Sequence, residues 1–375
     1  MVLRRRATAL LAILSILVAG CGKVEPTATP VPPTSTSIAL APSATPAPPT
    51  DTPLPPTLTP LPPTHTPIPV TAEPSPTAIP TLPPSVVDRL VTYIEYLAKR
   101  DEFSGAVLIA RGGERVFEGA YGLADRSSDF ANQVDTKFNL GSMNKMFTAV
   151  SMLQLAEQGA LSVDDRIIDH LPDYANQDVA EKVTIHDLLT HTSGMGDVFT
   201  DKYDTTIKNR LRTPEDWLPL FVDAPLAYEP GARFRYSNAG YVVLGLIMEG
   251  VTGQSYYDYV RESIFEPSGM LDTESYARDE DVPNLAIGYT RQGSDGSTLR
   301  TPAANTDRLP GRGFPAGGGY STVEDLFRFR NALLSHQLLS PESTDLLLTG
   351  KIELREDVRY AYGFFDKVVG LSLIH

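Results

Sequence analysis

The stretch NLGSMNKMFTAVSMLQLAEQGALS, from Asn139 to Ser162, places Ser142 and Lys145 three residues apart at the start of what reads as a buried helix. Serine is a poor nucleophile at neutral pH and needs a neighbouring base or proton relay. If Asn139 to Gly141 form the entry turn, Ser142 falls in the first helical turn and Lys145 one turn on, with Cβ atoms about 5 to 6 Å apart. The amine then reaches the hydroxyl, and it serves as a base once its pKa is lowered. Burial against Met146 and Phe147 and the positive helix end both push in that direction. The backbone N–H groups of the same helix end suit an oxyanion. Ser-x-x-Lys arises by chance about once or twice in a chain of this length. A solvent-facing serine beside a snorkelling lysine therefore accounts for the same four residues.

A second pair lies in YEPGARFRYSNAGYVVLG. Tyr236 and Asn238 are two apart, so in an extended segment they share one side. That side offers a phenol able to relay protons and an amide able to hold a carbonyl. Alternatively Tyr236 packs and Asn238 caps a helix starting at Ala239, and capping can coexist with function.

The elements that must position these residues can be read from pattern. SVVDRLVTYIEYLAKR opens with Ser85 as N-cap and puts Val86, Leu90, Ile94 and Leu97 on one helical face. GAVLIARGGERVFEGAYG is two apolar runs joined at Gly112 and Gly113, the pattern of a β-hairpin. The helix after Ser142 is apolar nearly all round and closes at Gly159, so it is expected inside its domain. Thr184 with Asp187, Ser255 with Asp258, and Thr322 with Asp325 each predict a helix start. Strands followed by many helices argue for an α+β domain, an antiparallel sheet with a helical region.

What precedes this domain is of another kind. The chain begins MVLRRRATALLAILSILVAGCG, with Arg4, Arg5 and Arg6 ahead of an apolar run too short to span a bilayer comfortably, which reads as an export signal over 1–20. From 22 to 84 the chain is rich in Pro and Thr, with almost no aromatic residues and no periodic apolar face, so it forms no packed core. Such a tether, in a polyproline-like state, reaches on the order of 190 Å at ~3.1 Å per residue. Cys21 is the only cysteine, which excludes an internal disulfide. The formal net charge of -14 argues against nucleic acid or anionic headgroups as partners of the folded part.

Several tempting readings fail on spacing. HTSG at His191 to Gly194 lacks any Gly-x-Ser-x-Gly elbow in the chain. His186 and His191 are five apart, the wrong spacing for two ligands on one helical face, so no metal is expected. The glycine-rich GRGFPAGGGYS, Gly311 to Ser321, lacks the register of a nucleotide loop and is read as close backbone packing beside the site. Tyr256, Tyr257 and Tyr259 are read as packing or helix surface.

Four successive blocks resemble the serine β-lactamase-related family, the group of class C β-lactamases, D-Ala-D-Ala carboxypeptidases and certain esterases. They are GSMNKMFTAVSMLQLAEQGALSVDDRIIDHLPDY, VTIHDLLTHTSGMGD, YEPGARFRYSNAGYVVLGLIMEGVTGQSYYDYVRESIFEPSGM and GFPAGGGYSTVEDLFRFRNALL. The likeness runs from residue 85 to the C-terminus, in the family's order. It implies a β-lactamase/transpeptidase-like fold and an acyl-enzyme hydrolase with no cofactor. Ser142 would be the nucleophile, Lys145 its proton partner, Tyr236 the second relay member and Asn238 the group that orients the substrate carbonyl. Tyr-Ser-Asn, in place of Ser-Asp-Asn, is similar to the class C and esterase branch. The family's third motif, Lys-Thr-Gly or His-x-Gly, would begin near His375, a secondary candidate for substrate binding. The domain, 85–375, is expected to lack C-terminal strands. LVAGC resembles a bacterial lipobox, which implies a lipid on Cys21, membrane anchoring outside the cytoplasm and a position near the cell wall. The expected partner is a small-molecule, peptide or ester substrate. The competing reading is a non-catalytic lipoprotein that keeps the fold to bind cell-wall peptides.

Overall fold

A computed structural model describes residues 84–293, 296–369 and 372–374. The leader, Cys21, the Pro/Thr-rich segment to residue 83 and His375 lie outside the described residues.

Helix α1 (Pro84–Lys99) starts two residues earlier than the capping pattern suggests, so Ser85 is inside the helix and Pro84 takes the first position. Proline is favoured there because its missing N–H has no helical partner in any case. The partly covered side of α1 runs through Val86, Val87, Val91, Ile94, Leu97 and Ala98, so of the four residues expected on one face only Leu90 stands outside it, 42% exposed. Strands β1 (Gly105–Arg111) and β2 (Glu114–Tyr121) form the expected antiparallel hairpin across Gly112 and Gly113, with an irregularity between Ile109 and Ala110.

Strand β3 (Phe138–Asn139) leads through a 3-10 turn, Gly141–Asn144, straight into α2 (Lys145–Glu157). α2 is buried on every side: Phe147, Ala149, Val150, Met152, Leu153 and Leu155 are all core residues. Phe147 meets Phe265 and Phe329 edge-on, each with ring centroids 5.0 Å apart. Burying one such side chain stabilises by about 1.5–3 kcal/mol, so α2 is fixed by its surroundings more than by its own propensity. α3 (Ile185–Leu189), α4 (Asn238–Thr252) and α5 (Tyr256–Val260) pack with α2 into one core. Tyr256, Tyr257 and Tyr259 are all buried, so they are packing residues. Trp217 stacks on Phe314 at 3.9 Å and on Tyr203 at 5.8 Å, which ties the glycine-rich segment to the helical region.

Capping holds these short helices where propensity would not. Thr184 Oγ1 accepts from Asp187 N–H at 3.1 Å and Asp187 Oδ2 accepts from Thr184 N–H at 3.1 Å, a reciprocal pair. Ser255 caps α5, and Thr322 caps α6 (Val323–Leu334). α4 differs from expectation by one residue: Ser237 is the cap and Asn238 the first helical residue.

Strand β4 (Tyr320–Ser321) pairs antiparallel with β3, joining the glycine-rich segment to the residues before Ser142. After α6, strands β5 (Ile352–Arg355), β6 (Val358–Tyr360), β7 (Phe365–Val369) and β8 (Ser372–Ile374) make a four-stranded sheet in the order β8-β7-β6-β5. Among the described residues every pair of strands is antiparallel, as expected of this α+β class, and one isolated bridge, Lys137 to Leu285, is parallel. Among the described residues the strands are shared among five small sheets.

Candidate active site

The turn that presents Ser142 is held by backbone. Leu140 N–H donates to Gly319 O at 2.7 Å, Gly318 N–H to Gly141 O at 3.0 Å, and Asn139 Nδ2 to Gly318 O at 3.2 Å. Asn139 Oδ1 accepts from Gly141 N–H at 2.9 Å, and buried Asn144 accepts from Gly319 N–H at 3.2 Å. A Cβ on Gly317 would lie 2.9 Å from Gly141 O, so only glycine lets the loop lie flush against the turn. Within this clamp Ser142 and Met143 are exposed, while Asn144 and Lys145 are buried. Tight packing beside the serine is thus the role of Gly317, Gly318 and Gly319 within GRGFPAGGGYS.

Lys145 is only 1% exposed. Its ammonium donates to Asn238 Oδ1 at 2.8 Å and to Ala316 O at 2.5 Å. It lies 4.8 Å from the Tyr236 ring centroid and 5.3 Å from that of Tyr241. Burial drives its pKa down from 10.5 to about 7, against the pull of Asp197 in the other direction. A buried amine disfavours its charged form, and here the result is an amine half neutral near pH 7.

Tyr236 moves the opposite way. Burial pushes its phenol up to about 12, with a further upward push from Asp197, while the hydroxyl of Ser142, donating to the phenol oxygen, pulls it down. Its ring lies 4.3 Å from that of His191, which also packs against Tyr241, Tyr360 and Phe234. His191 Nδ1 accepts from Ser237 N–H at 3.2 Å, so its proton is on Nε2, which donates to Tyr360 OH at 3.0 Å. Burial first, then the charge of Lys145, hold this imidazole well below its usual pKa. His191 has φ of 60°, a left-handed backbone that a buried non-glycine residue rarely keeps without cause. Its carbonyl accepts from Arg235 N–H at 2.8 Å, so one residue grips the chain on either side of Tyr236.

Asn238 turns its amide nitrogen to Asp197, with Nδ2 at 3.0 and 3.2 Å from the two carboxylate oxygens. The structure therefore brings Ser142, Lys145, Tyr236 and Asn238 into one cluster and adds Asp197 and His191. A nucleophile, a neutralised amine, a protonated phenol and a fixed amide can together carry acyl transfer.

The β-lactamase family model matches residues 91–372. The chain belongs to the β-lactamase family. Penicillin-binding protein 4* of Bacillus subtilis is 30% identical over 284 residues, 73% of this chain and 62% of that relative, so the chain spans less than two thirds of its length. Among solved structures, the penicillin-binding protein from Bacillus halodurans is 36% identical with a TM-score of 0.67, covering 73% of this chain and 83% of that one. The octameric penicillin-binding protein homologue from Pyrococcus abyssi is 27% identical with a TM-score of 0.63, covering 75% of this chain and 65% of that one. The β-lactamase/transpeptidase-like fold expected from the four sequence blocks is what these likenesses show.

Within this β-lactamase-family site, two residues carry no local sequence signal for their place. Asp197 stands 41 positions before Asn238, and no local spacing links them. The spacing around His191 suggests only a nucleophile's partner or a metal ligand. Its ring nitrogens serve Ser237 and Tyr360, and His186 Nδ1 meets Tyr362 OH at 2.7 Å. The signal that could have found His191 is its place among the aromatic residues of the next blocks, which becomes visible only in three dimensions.

Proposed function

We propose that this β-lactamase-family protein is a serine hydrolase that forms an acyl ester on Ser142. The observation that carries the reading is buried Lys145 held by Asn238 Oδ1 at 2.8 Å and 4.8 Å from the Tyr236 ring beside exposed Ser142, with burial tuning the two proton carriers in opposite directions, Lys145 down to about 7 and Tyr236 up to about 12. Divergent tuning of neighbouring groups is how a site assigns a base and an acid at one pH. In this reading the neutral Lys145 amine takes the proton as Ser142 Oγ adds to the substrate carbonyl. Tyr236, which stays protonated at neutral pH, gives its proton to the leaving nitrogen or oxygen and regains one from the Lys145 ammonium. Water then cleaves the ester and restores the hydroxyl. Asn238, with one N–H side turned to Asp197, orients the substrate carbonyl with what remains of its amide.

The substrate class is an amide, ester or β-lactam that presents an acyl carbon to an exposed serine. The N-terminal pattern supports a setting for this chemistry: export, a lipid on Cys21, and a Pro/Thr-rich tether that carries the domain away from the membrane toward the cell wall. The test is covalent labelling with a fluorophosphonate or reactive ester, read by mass spectrometry. One adduct on Ser142, lost in S142A, supports the assignment, and equal labelling of S142A contradicts it. Hydrolysis of p-nitrophenyl esters separates a hydrolase from a binding module, since saturable binding without turnover would favour the non-catalytic lipoprotein.

A further inference from the structure

We propose that Asp197 is a positioning residue for the Lys145 base: through Asn238 it fixes the amide that meets the lysine, and it supplies the counter-charge on that side of the site. The inference rests on reading Lys145 as the base for Ser142. A carboxylate only accepts hydrogen bonds, so it dictates which way round the Asn238 amide sits. With Nδ2 held at 3.0 and 3.2 Å by Asp197, Oδ1 must face Lys145, where it accepts at 2.8 Å. The reversed amide would set oxygen against carboxylate and N–H against ammonium, two repulsive contacts in a buried place.

Asp197 is itself built in. Its Oδ1 accepts from Val198 N–H at 2.6 Å and from Phe199 N–H at 3.4 Å. The preceding carbonyl, Gly196 O, accepts from Ser237 Oγ at 2.5 Å, which pins this loop to the cap of α4. Gly194, at φ 76°, sits where a Cβ would come 2.3 Å from Tyr228 O, so the bend that delivers Asp197 admits only glycine. Loop, cap and amide thus form one unit that ends on Lys145.

The polar and titratable groups facing Lys145 are Asp197 and neutral His191 from one loop, Tyr236 from just before α4, Asn238 and Tyr241 from α4 itself, and Ala316 O from the glycine-rich segment. Asp197 is the carboxylate in that set. Its charge favours the protonated amine and opposes burial. Removing the charge while keeping the shape lowers the amine further, and an opposite charge nearby typically accounts for about one pH unit or more.

The experiment uses the full chain with 13C-labelled lysine, following the Lys145 Cε resonance against pH and assigning it by its loss in K145M. In parallel, the rate of Ser142 modification by a fluorophosphonate is measured across the same pH range. A Lys145 midpoint about one unit lower in D197N than in wild type, with the acid limb of Ser142 modification moving down equally, supports the proposal. An unchanged midpoint overturns it. If D197N does not fold by circular dichroism, D197S, which also removes the charge with a smaller side chain, carries the same measurement. If wild type is not modified at Ser142 at all, the hydrolase reading fails, and the lysine midpoint still decides whether Asp197 sets the amine.

Discussion

The two sides of the Ser142 site are made of different materials. One is polar: Lys145, Asn238 and Asp197 in a line of hydrogen bonds of 2.8 to 3.2 Å. The other is aromatic: Tyr236 packs on His191, which in turn packs among Tyr241, Tyr360 and Phe234. Burial acts on both, yet it lowers an amine and raises a phenol, because in each case it penalises the charged form. The difference teaches that one environment can yield a base and an acid from residues of opposite charge type. No separate device is needed for each.

Four substitutions test that contrast, in falling order of effect. K145M removes the base and leaves the aromatic side intact, with an expected loss of about 10³-fold or more in kcat/KM for a p-nitrophenyl ester. Y236F keeps the packing and loses the proton donor, with an expected loss of about 10²-fold. If Y236F proves the more damaging of the two, the roles of the two sides must be exchanged. H191F strands Ser237 N–H and takes one of its partners from the Tyr360 hydroxyl, and should destabilise the fold by about 1–3 kcal/mol in denaturant unfolding. L90Q, on the exposed side of α1 and remote from both sides of the site, should change stability by less than about 0.5 kcal/mol.

His191 also gives the aromatic side a signature in pH. Its folded pKa is well below 6.5 and that of His186 is lowered too, both chiefly by burial. Below 6.5 the unfolded chain therefore binds protons that the folded chain refuses. Stability from these two residues is fully present above pH 6.5 and is lost as pH falls below it. Tm should fall between pH 7 and pH 5, with a shallower slope in H191F. An unchanged slope would place the titration elsewhere.

Much of this site was legible where chemistry follows local spacing. Ser142 and Lys145 are one helical turn apart, and Tyr236 and Asn238 flank one extended residue, so pattern alone placed each pair on one side. The hairpin across Gly112 and Gly113 and the caps at Thr184, Ser255 and Thr322 were legible for the same reason. The cap of α4 falls one residue before the expected Asn238 because Ser237 and Asn238 are both good caps. The choice falls to Ser237, whose hydroxyl accepts from Gly240 N–H at 3.3 Å, and this leaves the Asn238 amide to bridge Lys145 and Asp197. Asp197 was illegible because its link to the site runs across 41 residues through a loop bent at Gly194. The start of α1 and the exposure of Leu90 depend on which neighbours cover the helix, which periodicity does not report.

The most direct test of the account is the rate of Ser142 acylation by a slow ester, followed by peptide mass spectrometry from pH 5 to 9. The predicted rate rises through a midpoint near 7, where the Lys145 amine loses its proton, and levels off above it. A rate indifferent to pH between 6 and 8 would contradict Lys145 as the base that activates Ser142.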